Sequence, residues 1–166
     1  PDTGVNAITM ASTLIEPLNN MSFYHEPAEL MGHTPPCVCV VRIDGGLPGE
    51  MQFSPDSCTM ILAIVGIMPG MTIDTVIDDI SKVVGNCLAG SDDAAFTVRQ
   101  VPDSLFVSGT EPVPALEEPN LSITKAYQQL LGDRPHINRK NAFNDTIRFR
   151  EAGMNAVTFG PGEDGW

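Results

Sequence analysis

Positive charge is scarce in this sequence. Nine Lys and Arg stand against 21 Asp and Glu, for a net charge of −12. Binding a polyphosphate backbone takes clustered cations, so nucleic acid is excluded as a natural partner. An anionic membrane surface is disfavoured on the same ground. Long apolar runs are also missing. The longest, around Met60 to Met68, has the length of a strand and is broken by Gly66, well short of the roughly 20 residues a membrane helix needs. The four cysteines, Cys37, Cys39, Cys58 and Cys87, include no Cys-x-x-Cys pair, and the three histidines are scattered. A structural zinc site is built from two chelating pairs, so no metal ligand is identified. Reduced thiols and a cytoplasmic location are the expectation. Pro1-Asp2-Thr3-Gly4 is neither a signal peptide nor an initiator-Met start, and reads as an internal cut.

What is present is the composition of a globular chain: 166 residues, 42% apolar and 18% charged. The charge is uneven. Up to Thr110 there are 13 acids and 3 bases, and from Glu111 onward 8 acids and 6 bases, which points to two regions with different surroundings.

Val5, Ile8, Leu14 and Ile15 fall at helical spacing, so Gly4 to about Ile15 is predicted helical, with Asp2 or Thr3 as cap and an end or kink forced near Ile15 by Pro17. A polar loop rich in Pro follows. His25 and His33 lie in it with no metal-ligand or catalytic spacing around them. Cys37–Ile43 and Ser57–Val65 read as strands that pair antiparallel, with Cys37 and Cys39 on one face as small buried hydrophobes. Thr72 caps the most strongly patterned helix, in which Ile73, Val76, Ile77, Ile80, Val83 and Val84 form an apolar stripe and Gly85 to Asp93 closes the element. Alternation from Ala94 to Val101 predicts a half-buried strand. A linker rich in Pro and acids precedes a helix that Glu118-Pro119-Asn120 starts and that runs to about Leu131, with Leu121, Ala126, Tyr127, Leu130 and Leu131 inward and Gly132-Asp133 ending it. His136, among Arg134, Arg139 and Lys140, is a surface or packing residue.

The most informative stretch runs from Asn144 to Gly162. Asn144 or Asp145 caps a short helix, Gly153 ends it, Ala156–Phe159 is an apolar run expected to be a buried parallel strand, and Gly160-Pro161-Gly162 turns the chain sharply. These residues define a helix, a strand and a loop; they fix no chemistry by themselves.

The stretch resembles a segment of the M20-family metallohydrolases (acetylornithine deacetylase, succinyl-diaminopimelate desuccinylase and related peptidases). Asp145, Arg150, Ala152-Gly153, Ala156-Val157, Phe159 and Gly160-Pro161-Gly162 match it position by position. Looser matches run through Gly4–Ile8, Gly45-Gly46, Pro55–Cys58 and Met68–Thr72, so the likeness spans nearly the whole chain. It implies an α+β protein. Residues 1–106 would be a ferredoxin-like, split βαβ lid, with two helices on an antiparallel sheet whose first strand is missing and whose edge is left unpaired. Residues 107–166 would be a short α/β piece of a catalytic domain. It also implies a parent enzyme that uses zinc to hydrolyse the amide bond of small N-acyl amino acids or peptides, and a homodimer formed through the lid. The family's metal ligands lie outside the matched residues, so the chain itself is expected to bind no metal, to carry no catalytic residue, and to serve lid and dimerisation roles.

The substrate-binding positions implied by the resemblance are Gln52, Asp145, Gly160 and Gly162. The sequence departs from the family where an Asn is matched by Gln52, a Thr by Phe143, and a carboxylate-binding Arg by Gly66. Gly has no side chain to hold a carboxylate. Either the substrate lacks that group, or Arg42 or Arg148 replaces the clamp, or the activity is altered. The alternative reading is a stand-alone, non-enzymatic ferredoxin-like module that binds a partner or a small molecule.

Overall fold

Residues 5–25, 35–46, 49, 55–91, 93–107, 109, 113, 117–137 and 144–160 are described in a computed structural model. The fold is mixed helix and antiparallel sheet, an α+β arrangement. The chain divides into two compact units. Pro1–Pro27 and Thr34–Gly109 make the first; Ala28–His33 and Thr110–Trp166 make the second.

In the first unit, α1 (Ala7–Thr13) is capped by Asn6, whose Oδ1 accepts from the backbone N–H of Ile8 at 3.0 Å and of Thr9 at 3.1 Å. Asp2 and Thr3, expected in that role, lie outside the described residues. The break expected near Ile15 is present, since α1 ends at Thr13. The chain bends at Leu14 and restarts as α2 (Ile15–Asn19), which places Pro17 in the first turn of a new helix. There an N–H has no intrahelical acceptor, so proline's missing donor is harmless. The restart carries Leu18 inward; its N–H donates to the Leu14 carbonyl at 2.9 Å and its side chain is 1% exposed.

β1 (Cys37–Gly45) and β2 (Cys58–Val65) form the expected antiparallel hairpin, in register from Cys37 opposite Val65 to Gly45 opposite Cys58, with a bulge between Val40 and Arg42. No third strand joins it among the described residues. The expected face of β1 is reversed. Val38 is buried, whereas Cys37 and Cys39 on either side of it are exposed. Alternation showed that the two thiols share a face but not which face meets the core.

α3 (Ile73–Leu88) is the predicted helix, and its start is a capping box. Thr72 Oγ1 accepts from the Thr75 N–H at 3.2 Å, and Thr75 Oγ1 accepts from the Thr72 N–H at 2.9 Å. Val76, Ile80 and Val84 are buried, one helical turn apart. The helix ends at Leu88, within the Gly85–Asp93 stretch expected to close it. A methyl group at Gly85 would stand 3.6 Å from Cζ of Phe96, so the ring rests against the bare flank of the helix. The segment from Ala94 to Val101 is not a strand, and Phe96 and Val101 are largely exposed. It joins neither strand of the hairpin. Among described elements the close backbone approaches of α3 are to α2, while α1 and α2 are the helices lying close to the strands.

In the second unit, α4 (Asn120–Leu131) ends as expected at Gly132. Asn120 Nδ2 donates to the Val113 carbonyl at 2.6 Å, and Val113 is buried. The inward face differs from expectation: Leu121, Ile123 and Tyr127 are half-buried, whereas Ala126, Leu130 and Leu131 are exposed. The pattern of apolar residues is broader than the face that the short unit covers.

One polar tie closes the first unit. The Tyr24 N–H donates to Asp79 Oδ2 at 2.8 Å, and Lys82 Nζ donates to Asp79 Oδ1 at 3.0 Å. This anchors the segment leaving α2 to α3. Burial raises the Asp79 pKa, but the Tyr24 N–H and the Lys82 ammonium together outweigh it, and the carboxyl titrates below its ordinary value. Its contribution is therefore complete above the unfolded-state pKa of about 3.9 and is lost as pH falls through the lower folded value. Asp79→Ala is expected to reduce stability by about 2 kcal/mol at neutral pH, with the wild-type and variant urea curves converging in acid. A difference that stays constant down to about pH 2 would contradict this role.

Candidate functional site

The residues singled out by sequence fall into two groups. Gln52 and Gly162 lie outside the described residues. Asp145 and Gly160 are described, and both belong to the second unit.

Asp145 stands at the start of α5 (Thr146–Glu151). The cap bond is made by its neighbour: Asn144 Oδ1 accepts from the Thr146 N–H at 3.0 Å, and the exposed Asp145 carboxylate takes no part in capping. The helix stop is as expected. Gly153 has φ +81°, its N–H donates to the Arg150 carbonyl at 2.9 Å, and the Met154 N–H donates to the Phe149 carbonyl at 3.0 Å. These paired bonds are the Schellman motif, which needs a left-handed residue where Gly153 sits.

From Met154 the chain returns toward the start of the helix. Thr146 Oγ1 and Thr158 Oγ1 are 2.8 Å apart in a hydrogen bond, and the Phe159 ring meets Tyr127 of α4 edge-on with centroids 6.4 Å apart. The hydroxyl bridge thus draws the chain beside Asp145 toward the chain just before Gly160. No atom of the described residues lies within 4 Å of where a Gly160 side chain would project. The run Ala156–Phe159 is not the expected buried parallel strand. Ala156 and Val157 are half-buried, Thr158 and Phe159 are exposed, and no strand ladder includes them. A parallel strand needs a neighbouring strand, and the second unit offers none among its described residues.

Both arginines considered as replacement clamps are engaged by carboxylates. Arg148 Nη1 donates to Glu151 Oε2 at 2.8 Å, and Arg42 Nε lies 2.6 Å from Asp44 Oδ2. Gly66, directly after β2, has φ +80°, a conformation that costs an L-residue about 1–2 kcal/mol.

The first unit has a separate concavity that the sequence did not reveal. Ile15 and Asn19 of α2 and Cys39 to Ile43 of β1 line a shallow cavity of about 380 Å³. It lies along the bulged part of β1, and a bulge leaves no clear mark in composition. Cys58, on the partner strand, is no candidate nucleophile: burial and the nearby Asp44 carboxylate push its thiol pKa up.

No group of three or more His, Cys, Asp and Glu residues able to hold a metal occurs among the described residues. No helix of the described chain is long and apolar enough to cross a membrane. No family model, curated protein or solved structure matches this chain.

If Gly66 is held by its backbone, Gly66→Ala should lower stability by about 1 kcal/mol, and Gly66→Arg should destabilise at least as much. Thermal unfolding measures both. A neutral Gly66→Arg would show that an arginine fits here after all.

Proposed function

We propose that this chain supplies the lid, or dimerisation, domain and the C-terminal part of the catalytic domain of an M20-like, zinc-dependent amidohydrolase or peptidase. Its substrates would be small N-acyl amino acids or peptides, and its location cytoplasmic. The observation that carries this reading is the folding of the matched segment. The Schellman stop at Gly153 and the Thr146–Thr158 bridge bring the neighbourhoods of Asp145 and Gly160 together, as a shared substrate-binding role requires. The zinc ligands and the general base belong to residues other than those described here. This chain's part is to close over the substrate and to pair subunits.

Pairing would run along β1. Val41 is 56% exposed on this bulged strand, and no strand among the described residues pairs with its outer edge. An unpaired edge with apolar side chains is suited to a second copy. The rival reading, a stand-alone ferredoxin-like module that binds a partner or small molecule, is favoured by the cavity on the first unit, which has its own lining residues.

Backbone NMR titration with N-acetyl amino acids separates the two. The hydrolase reading expects shifts at Asp145, Thr146, Thr158 and Gly160; shifts confined to Ile15, Asn19 and Cys39–Ile43 would establish the rival. Light scattering should give a dimer mass that Val41→Lys reduces to a monomer. A monomer at every concentration would refute the pairing.

A further inference from the structure

We propose that Cys37 and Cys39 form a two-coordinate binding site for a soft monovalent metal ion of the Cu(I) class. The inference is independent of the hydrolase reading. It begins with the orientation of β1: Val38 is 6% exposed and turned inward, so the residues before and after it point together to the outer face. Both thiols are free and exposed there. Cys39 also lines the cavity beside Asn19 and Arg42, so a ligand reaches it without any opening of the fold.

The spacing decides what such a pair can hold. Residues two apart on a strand have Cα atoms about 6.7 Å apart, at the outer limit of about 6.8 Å for a disulfide and well beyond its preferred 5.5–6 Å. A direct sulfur–sulfur bond is disfavoured by that geometry. Inserting one metal ion between the sulfurs lengthens the bridge and relieves the mismatch. Zinc is a poor occupant, because it takes four ligands in a closed site and no group of three potential ligands exists among the described residues. Calcium and magnesium need oxygen donors. Thiolate ligands select soft ions, Cu(I) among them, and Cu(I) is satisfied by two. Binding replaces two S–H bonds with two S–Cu bonds and releases both protons to solvent. No electron is transferred. Val65, paired opposite Cys37, is 47% exposed and sets one apolar side chain beside the pair.

The test is anaerobic titration of the reduced full chain with Cu(I) held by a chromogenic chelator. One Cu(I) per chain should be withdrawn from the chelator. Cys37→Ser and Cys39→Ser should each weaken binding by at least about 100-fold, since the loss of a direct ligand exceeds the 10–100-fold cost of losing an outer partner. Cys58→Ser and Cys87→Ser should bind as the wild type does. X-ray absorption should show a shell of two sulfurs. Because both residues are exposed, the serine variants should keep the wild-type circular dichroism. Failure of the wild-type chain to compete with the chelator, or full binding by the doubly substituted Cys37→Ser, Cys39→Ser chain, would overturn the proposal.

Discussion

The first unit depends on the burial of Leu18. It is the most deeply buried large side chain among the described residues, and it sits on a helix of only five residues, too short to be stable alone. That helix nevertheless approaches α1, β1 and α3. Withdrawing a leucine side chain fully from water contributes about 2 kcal/mol, and this burial holds α2 in place between its sequence neighbours. Pro17 is part of the arrangement. It ends the first helical path, permits a second to begin at Ile15, and thereby turns Leu18 toward the core. The Tyr24–Asp79 bond then secures the outgoing chain to α3.

Elements whose signals are local were legible in the sequence. Thr72, Gly132 and Gly153 mark helix ends through bonds made within a few residues, and all three behave as the pattern implies. The antiparallel pairing of Cys37–Gly45 with Cys58–Val65 follows equally from two apolar runs with one connection. What depends on distant residues was not legible. Alternation in Ala94–Val101 and the apolar run Ala156–Phe159 both resemble strands, yet a strand exists only where another backbone accepts its hydrogen bonds. The same limit reversed the face of Cys37 and Cys39, since period-two alternation is symmetric until one side meets a core. Leu130 and Leu131 continue the apolar pattern of α4 past the surface that the second unit covers.

The candidate site was legible in part. Asp145 and Gly160 were picked out by resemblance, and the hydroxyl bridge that relates them, Thr146 to Thr158, was not foreseen because it joins residues twelve apart. Gly66, which the resemblance sets at the position of a carboxylate-binding arginine, has a left-handed backbone that favours glycine. The strong negative charge bears on this as well. With 21 acids and nine bases, cations are few, and Arg42 and Arg148 both lie against neighbouring carboxylates. An anionic substrate would have to compete with those partners for either guanidinium.

The central structural claim is that Leu18, set by the restart of the helix at Ile15, holds the first unit together. Urea unfolding of Leu18→Ala tests it most directly. The account predicts a loss of about 3 kcal/mol or more, in the upper part of the range for a leucine truncated in a closed core, with α3 losing its hydrogen-exchange protection together with the hairpin. A loss below about 1 kcal/mol, with the protection of α3 unchanged, would contradict it.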